Sequence, residues 1–261
     1  MTTYADIAVT LADHVGLVEI RRPPNNFFDA YLIRQIASAF EAFDADPDCR
    51  AIVLAAEGKA FCAGADFSKR PEGGAAEVME DLAPQHLYKE AIRIFRCRKP
   101  VVAAVHGAAI GGGLGVALTA DFRVTCPEAR FSANFNRMSF HPGFGLTATL
   151  PRLVGPQQAA LLFYTGRRIG GEEAVRIGLA DVLVPQADVR STAMALATEI
   201  AQSGPLAVQS TRDTMRRGLA DAVEAATERE LVEQDWLRKT ADFREGVKAM
   251  GDRRLPQFTG R

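Results

Sequence analysis

Apolar and polar positions alternate at the start of the chain. Ile7, Val9 and Leu11 fall on one side, and after Ala12-Asp13-His14 a second run, Val15 to Ile20, predicts a partner strand across a turn. The period then becomes helical. Leu32, Ile33, Ile36, Ala39, Phe40 and Phe43 recur every third or fourth place between Tyr31 and Phe43, with Asp29 as N-cap and Asp46-Pro47 closing the element. Two unbroken apolar runs, Ala51 to Ala55 and Val101 to Val105, read as buried strands, and each leads into a glycine-rich stretch. Strand, glycine stretch, loop, helix (about Pro84 to Cys97), strand and second glycine stretch follow in the order of βαβ crossovers, so the predicted fold class is α/β.

Beyond Gly111, Leu114, Val116, Ala117, Leu118 and Ala120 suit a buried helix ending at Asp121, and Phe122 to Cys126 returns as a strand. Further helices are predicted at about Pro156 to Tyr164, Gly171 to Ile177, Val189 to Ala201, Pro205 to Gly218 and Ala220 to Lys239. Leu179 to Val184 reads as a short strand or linker. Residues 1–200 would form the core, and residues 201–261 a helical segment that covers it or binds another subunit. Pro71-Glu72-Gly73-Gly74-Ala75-Ala76 reads as a loop where a lid would sit.

Composition narrows the function. The chain has 261 residues, 48% hydrophobic and 24% charged, enough for one large α/β domain. Its 31 basic and 32 acidic residues nearly cancel, so no global field draws it to nucleic acid or an anionic membrane. Cys49, Cys62, Cys97 and Cys126 form no CxxC pair, which argues against a zinc site or a disulfide framework and predicts a reducing, cytoplasmic setting. No apolar run approaches the roughly 18 residues of a membrane span.

The chemistry is concentrated in the glycine stretches, Ala60 to Phe67 and His106 to Gly115. Each can present a backbone N–H at a strand end, and the second does so where a helix begins and its dipole favours negative charge. Two such donors aimed at one point form an oxyanion hole, each worth roughly 3–4 kcal/mol of barrier. A dinucleotide fingerprint does not fit, because its third glycine would fall at Val116; neither a Gly-Lys-Ser/Thr P-loop nor a Gly-x-Ser-x-Gly elbow occurs.

With these stretches in place, the chain resembles the enoyl-CoA hydratase/isomerase (crotonase) superfamily over nearly its full length. The resemblance is carried by Arg22-Pro23-Pro24-Asn25-Asn26, Ala60 to Phe67, Lys99 to Gly107, Gly111-Gly112-Gly113 and Ala120-Asp121-Phe122-Arg123. Leu150 to Gly155, Thr165-Gly166-Arg167 and Gly178 to Val182 complete it. It implies a crotonase-like ββα spiral core with a helical C-terminal segment, homotrimers or homohexamers, and a coenzyme A thioester as substrate with no separate cofactor or metal. It also implies that the amides of Ala65 and Gly112 bind the thioester oxygen. The backbone around Ala63, Ala65 and Phe67 would hold the adenine, with Asp66, Gly111, Gly115, Asn134 and Phe135 at the substrate, and Arg21, Arg22 and Lys59 could meet the phosphates.

Hydratases of that superfamily use two glutamates, and here their positions read Gly115 and Phe135. General acid–base groups contribute roughly 10²–10⁴-fold each, so ordinary hydration is not expected. The dehalogenase branch pairs glycine with an aromatic at these positions, but its nucleophilic aspartate would fall near Gly143, which has no nucleophile. His141 is the acid/base candidate nearby, and its other reading is a turn residue capping a neighbouring carbonyl. C–C bond hydrolysis or retro-Claisen cleavage using His141, and a non-catalytic acyl-CoA-binding role, stay open. His86 reads as a surface residue, His14 as part of the first turn and His106 as structural, as do Cys62 and the first-turn acids Glu172 and Glu173. Phe131, Phe135, Phe140 and Phe144 predict an apolar wall for the acyl group.

Overall fold

The computed structural model describes residues 4–66 and 84–261. Phe67, the loop at Pro71 to Ala76 and the side chain of His86 lie outside them. The predicted hairpin is formed by β1 (Ile7–Ala12) and β2 (Val15–Ile20), paired antiparallel with Ala12 opposite Val15. That register leaves a two-residue turn whose centre, Asp13 and His14, takes φ of 49° and 66°. A ring nitrogen of His14 stands 2.8 Å from the Asp48 carbonyl and helps hold this left-handed backbone.

The remaining strands arise in pairs: β3 (Ala51–Ala56) and β4 (Ala60–Cys62), β5 (Val101–Val105) and β6 (Ala108–Ile110), β7 (Phe122–Thr125) and β8 (Arg130–Ser132). β9 (Ile169–Gly170) and β10 (Val182–Leu183) are two-residue additions. One sheet runs β1-β2-β3-β5-β7-β10, parallel beyond the hairpin, and the other runs β4-β6-β8-β9. In the second sheet β4, β6 and β8 are parallel, and β9 lies antiparallel to β8. Each coil therefore gives one strand to each sheet, which is the ββα spiral. It places the ends of β4 and β6, where the glycine stretches begin, side by side.

Helix α1 (Ala30–Ala45) starts where the side chain of Asp29 accepts from the Leu32 N–H, and it closes Leu32, Ile33, Ile36 and Phe40 completely from solvent. Burial of each contributes about 1.5–3 kcal/mol. It packs on α2 (Pro84–Phe95). The short α3 (Gly112–Ala117) follows the second glycine stretch, then come α4 (Leu146–Val154), α5 (Pro156–Thr165), α6 (Gly171–Arg176) and α7 (Val189–Ala201). The chain ends with α8 (Pro205–Met215), α9 (Leu219–Leu237) and α10 (Ala241–Gly251). Among the described residues no helix is long and apolar enough to cross a membrane.

Two helices escape the sequence pattern. Pro151 lies inside α4, where the sequence predicts no helix, and burial of Leu146 and Leu150 holds the helix despite the lost N–H. α10 is charge-rich; its signal was Thr240, whose hydroxyl accepts from the Phe243 N–H. The segment Leu179 to Val184, read as a short strand or linker, is strand only over the two residues of β10, because Leu179 and Ala180 return their N–H groups to Ala174 in α6.

Candidate active site

The glycine stretches meet each other before they meet any ligand. A Cβ at Gly64, where φ is +85°, would stand 2.8 Å from the Ile110 carbonyl oxygen, and one at Gly113 would stand 2.0 Å from that of Cys62. Only bare backbone lets the two loops close to this distance. Asn26, completely buried, fastens the first loop from behind: its amide donates to the Glu57 and Ala60 carbonyls at 2.6 and 2.7 Å. The Ala63 N–H donates to Asn25 at 3.0 Å and the Gly111 N–H to Ser132 at 2.8 Å.

These bonds occupy the neighbours and leave two amides over. Among the described residues the N–H groups of Ala65 and Gly112 have no acceptor, and Gly112 is the first residue of α3, where no intrahelical partner exists. Both residues line one cavity of about 380 Å³. Ala63, Asp66, Gly111, Asn134 and Phe135 share that lining, with Phe27, Phe28, Phe140 and Phe144 among its apolar walls.

Gly115 does not reach the cavity. It lies inside α3, and a Cβ there would be 2.7 Å from Cδ1 of Phe144. Phe144 is 1% exposed, takes φ of +62° and sets its ring 5.7 Å from that of Phe28. It is held there from α9. The buried Glu230 carboxylate accepts the Gly145 N–H at 2.8 Å and the Thr147 N–H and hydroxyl at 3.1 and 2.6 Å. Gln234 donates to the His141 and Pro142 carbonyls at 3.1 and 3.3 Å and accepts from the Tyr88 hydroxyl at 3.0 Å. Burial pushes the Glu230 carboxyl above its ordinary range despite those donors, and it raises the Tyr88 hydroxyl as well.

The family model for enoyl-CoA hydratase/isomerase matches residues 10–261. The chain belongs to the enoyl-CoA hydratase/isomerase family. It is 32% identical over 259 residues to the (E)-benzylidenesuccinyl-CoA hydratase of Thauera aromatica, covering 97% of this chain and 99% of that one. Among solved structures it matches an enoyl-CoA hydratase/isomerase from Pseudoalteromonas atlantica T6c at a TM-score of 0.85 and 28% identity, covering 98% of this chain and 100% of that one. A carnitinyl-CoA hydratase from Mycobacterium avium matches at a TM-score of 0.82 and 28% identity, covering 99% of this chain and all of the other. The fold is that of the crotonase superfamily.

In this hydratase/isomerase family member several expected site residues sit elsewhere. His141 does not line the cavity; its Nδ1 lies 2.8 Å from the Pro142 carbonyl, the capping arrangement that was its alternative reading. Gly115 makes no substrate surface, because the Phe144 ring covers it. Arg22 is committed to Asp6 at 2.8 Å and Asp29 at 2.7 Å, where it braces the start of α1, and Arg21 pairs with Glu19 at 2.7 Å. Neither they nor the exposed Lys59 line the cavity.

His106 holds the Gly58 carbonyl at 2.9 Å, and burial pushes the Cys62 thiol up to about 12, which leaves it inert. Among the described residues no three His, Cys, Asp or Glu side chains gather as a metal site. Sequence reasoning missed Tyr88, Arg168 and Gln234 as lining residues. They carry no local motif and reach the cavity only through packing.

Proposed function

We propose that this protein binds a coenzyme A thioester and stabilises its enolate-like form between the amides of Ala65 and Gly112. The observation that carries the reading is that pair of N–H groups, without an acceptor among the described residues, on two residues that follow adjacent strands and line one largely apolar cavity. Such donors do not reorganise as charge develops, and each contributes roughly 3–4 kcal/mol at the transition state. The coenzyme belongs to the substrate, and the proposal needs no further cofactor.

Ordinary hydration is not the proposed reaction. Neither Gly115 nor Phe135 has a side chain that could hold or move a proton, and Asp66 is the one carboxylate among the described lining residues. The chemistry left to the site is formation or breakdown of a thioester enolate. A second reading, acyl-CoA binding without turnover, is favoured by one observation: the ring of Phe144 fills the space over Gly115.

Titration with acetoacetyl-CoA labelled with ¹³C at the thioester carbonyl tests the hole. Binding with a downfield carbonyl shift is expected, since two amides would polarise that bond. Binding without the shift, or no binding, would refute the hole. Rapid conversion of crotonyl-CoA to its hydroxyacyl product would instead refute the exclusion of hydration.

A further inference from the structure

Four residues stand in a row at one edge of the second sheet. Ala65 follows β4, Gly112 follows β6, Asn134 follows β8, and Arg168 precedes the antiparallel β9, so all four emerge at the same ends of neighbouring strands. All four line the same cavity. Neighbouring strands lie about 4.8 Å apart, so the backbone at Arg168 is roughly 10 Å from the Gly112 donor.

Local geometry places Asn134 and Arg168 together. Phe131 pairs with Ile169, which sets Ser132 beside Arg168, and the Ser132 hydroxyl donates to the Gly166 and Arg167 carbonyls at 3.1 Å each. The close approach agrees: a Cβ on Gly166 would stand 3.3 Å from Cα of Asn134. Asn134 opens a short 3-10 helix just past the end of β8, and Gly166 closes α5 just before β9, so the two segments meet at the rim of the cavity that Asn134 and Arg168 both line.

What sets these two apart is that the protein leaves them unanswered. Among the described residues the guanidinium of Arg168, which is exposed at the cavity rim, makes no ion pair or hydrogen bond, and the side-chain amide of Asn134 has no partner. The other polar side chains of the lining are engaged: Tyr88 and Gln234 bond each other, and Asp66 is not without a partner. A guanidinium beside an amide on a cavity walled by phenylalanines is a receptor for a planar anion.

We infer that the acyl group of the substrate carries a carboxylate, several atoms beyond the thioester carbon, and that Arg168 and Asn134 receive it. The inference rests on the thioester reading and narrows it to acyl-CoA species with a second acid group. The phosphates of the coenzyme offer a similar anion, so the test must separate the two sources.

Isothermal titration calorimetry with chain-matched pairs does so: adipyl-CoA against hexanoyl-CoA, and glutaryl-CoA against pentanoyl-CoA, with free coenzyme A alongside. The diacid thioester of at least one pair is expected to bind about 10- to 100-fold tighter than its partner, the range of a charge-assisted hydrogen bond. Arg168→Met should bring that ratio to about one or below, Arg168→Lys should keep part of it, and Asn134→Ala should lower it. A wild-type ratio of one in both pairs overturns the proposal, as does a ratio that survives Arg168→Met. Equal weakening of diacid thioester, monoacid thioester and free coenzyme A would assign Arg168 to a phosphate and overturn it too. Binding of hexanoyl-CoA with a ratio of one sinks only the carboxylate, whereas failure of all four thioesters sinks the thioester reading with it.

Discussion

Substitution of Gly115 by alanine should reverse its sign with the residue at position 144. In the native protein the new Cβ would stand 2.7 Å from Cδ1 of Phe144 and 2.8 Å from its Cβ and Cγ, against an ordinary carbon contact of about 3.5–4.0 Å. Phe144 cannot yield cheaply, because it is buried against Phe28 and the following amide is tied to Glu230. Overpacking of this kind costs about 1–3 kcal/mol, and replacing glycine inside a helix returns about 1 kcal/mol. The net loss is about 1 kcal/mol, or about 2–4 °C of Tm at this chain length. In a Phe144→Gly background, which removes the Cβ at 2.8 Å as well as the ring and is itself expected to cost about 3–5 kcal/mol, the obstruction is gone and only the helical gain remains. Gly115→Ala should there stabilise by about 1 kcal/mol. Urea unfolding of the four proteins at one protein concentration measures a coupling of about 2 kcal/mol. Additive effects, with alanine at 115 harmful in both backgrounds, would refute the packing argument. If the argument holds, Gly115→Glu alone meets the same ring and should bring no hydration of crotonyl-CoA.

Asp121 accepts from Arg212 and Arg216, each at 2.7 Å, and from the Val101 N–H at 2.8 Å, so Asp121→Asn should cost about 3–5 kcal/mol in chemical denaturation by leaving two largely buried cations unpaired. Burial works to raise the Asp121 carboxyl, but the two guanidiniums outweigh it and hold it below its ordinary value. Its contribution is therefore present above the unfolded value of 3.8 and lost as pH falls below it, and the variant should lack that part of the acid limb of a stability–pH profile. Glu230 runs the other way: its raised folded value makes stability fall as pH rises above the unfolded 4.5, and Glu230→Gln should flatten that decline while losing the acceptor for one of its three donors. Arg22→Met should lower Tm by removing the pairs to Asp6 and Asp29, yet leave the affinity for free coenzyme A within about twofold by calorimetry; a loss of tenfold or more would restore Arg22 as a phosphate contact.

The sequence by itself determined what depends on neighbours along the chain. The hairpin at Ile7 to Ile20, the Asp29 cap and the apolar face of α1 follow from periodicity and capping, which are local. The strand-then-glycine repeats placed Ala65 and Gly112 at strand ends, and the resemblance to the enoyl-CoA hydratase/isomerase superfamily exposed the missing carboxylates at 115 and 135. Tertiary structure decided the rest. Phe144 covers Gly115 because Glu230 and Gln234, on a helix far along the chain, pin the loop that carries it. His141 is turned to the Pro142 carbonyl by the same loop, and Arg168 comes beside Asn134 only through the pairing of β8 with β9. No local propensity encodes such meetings, because their energy comes from burial and hydrogen bonds between segments brought together only when both sheets have closed.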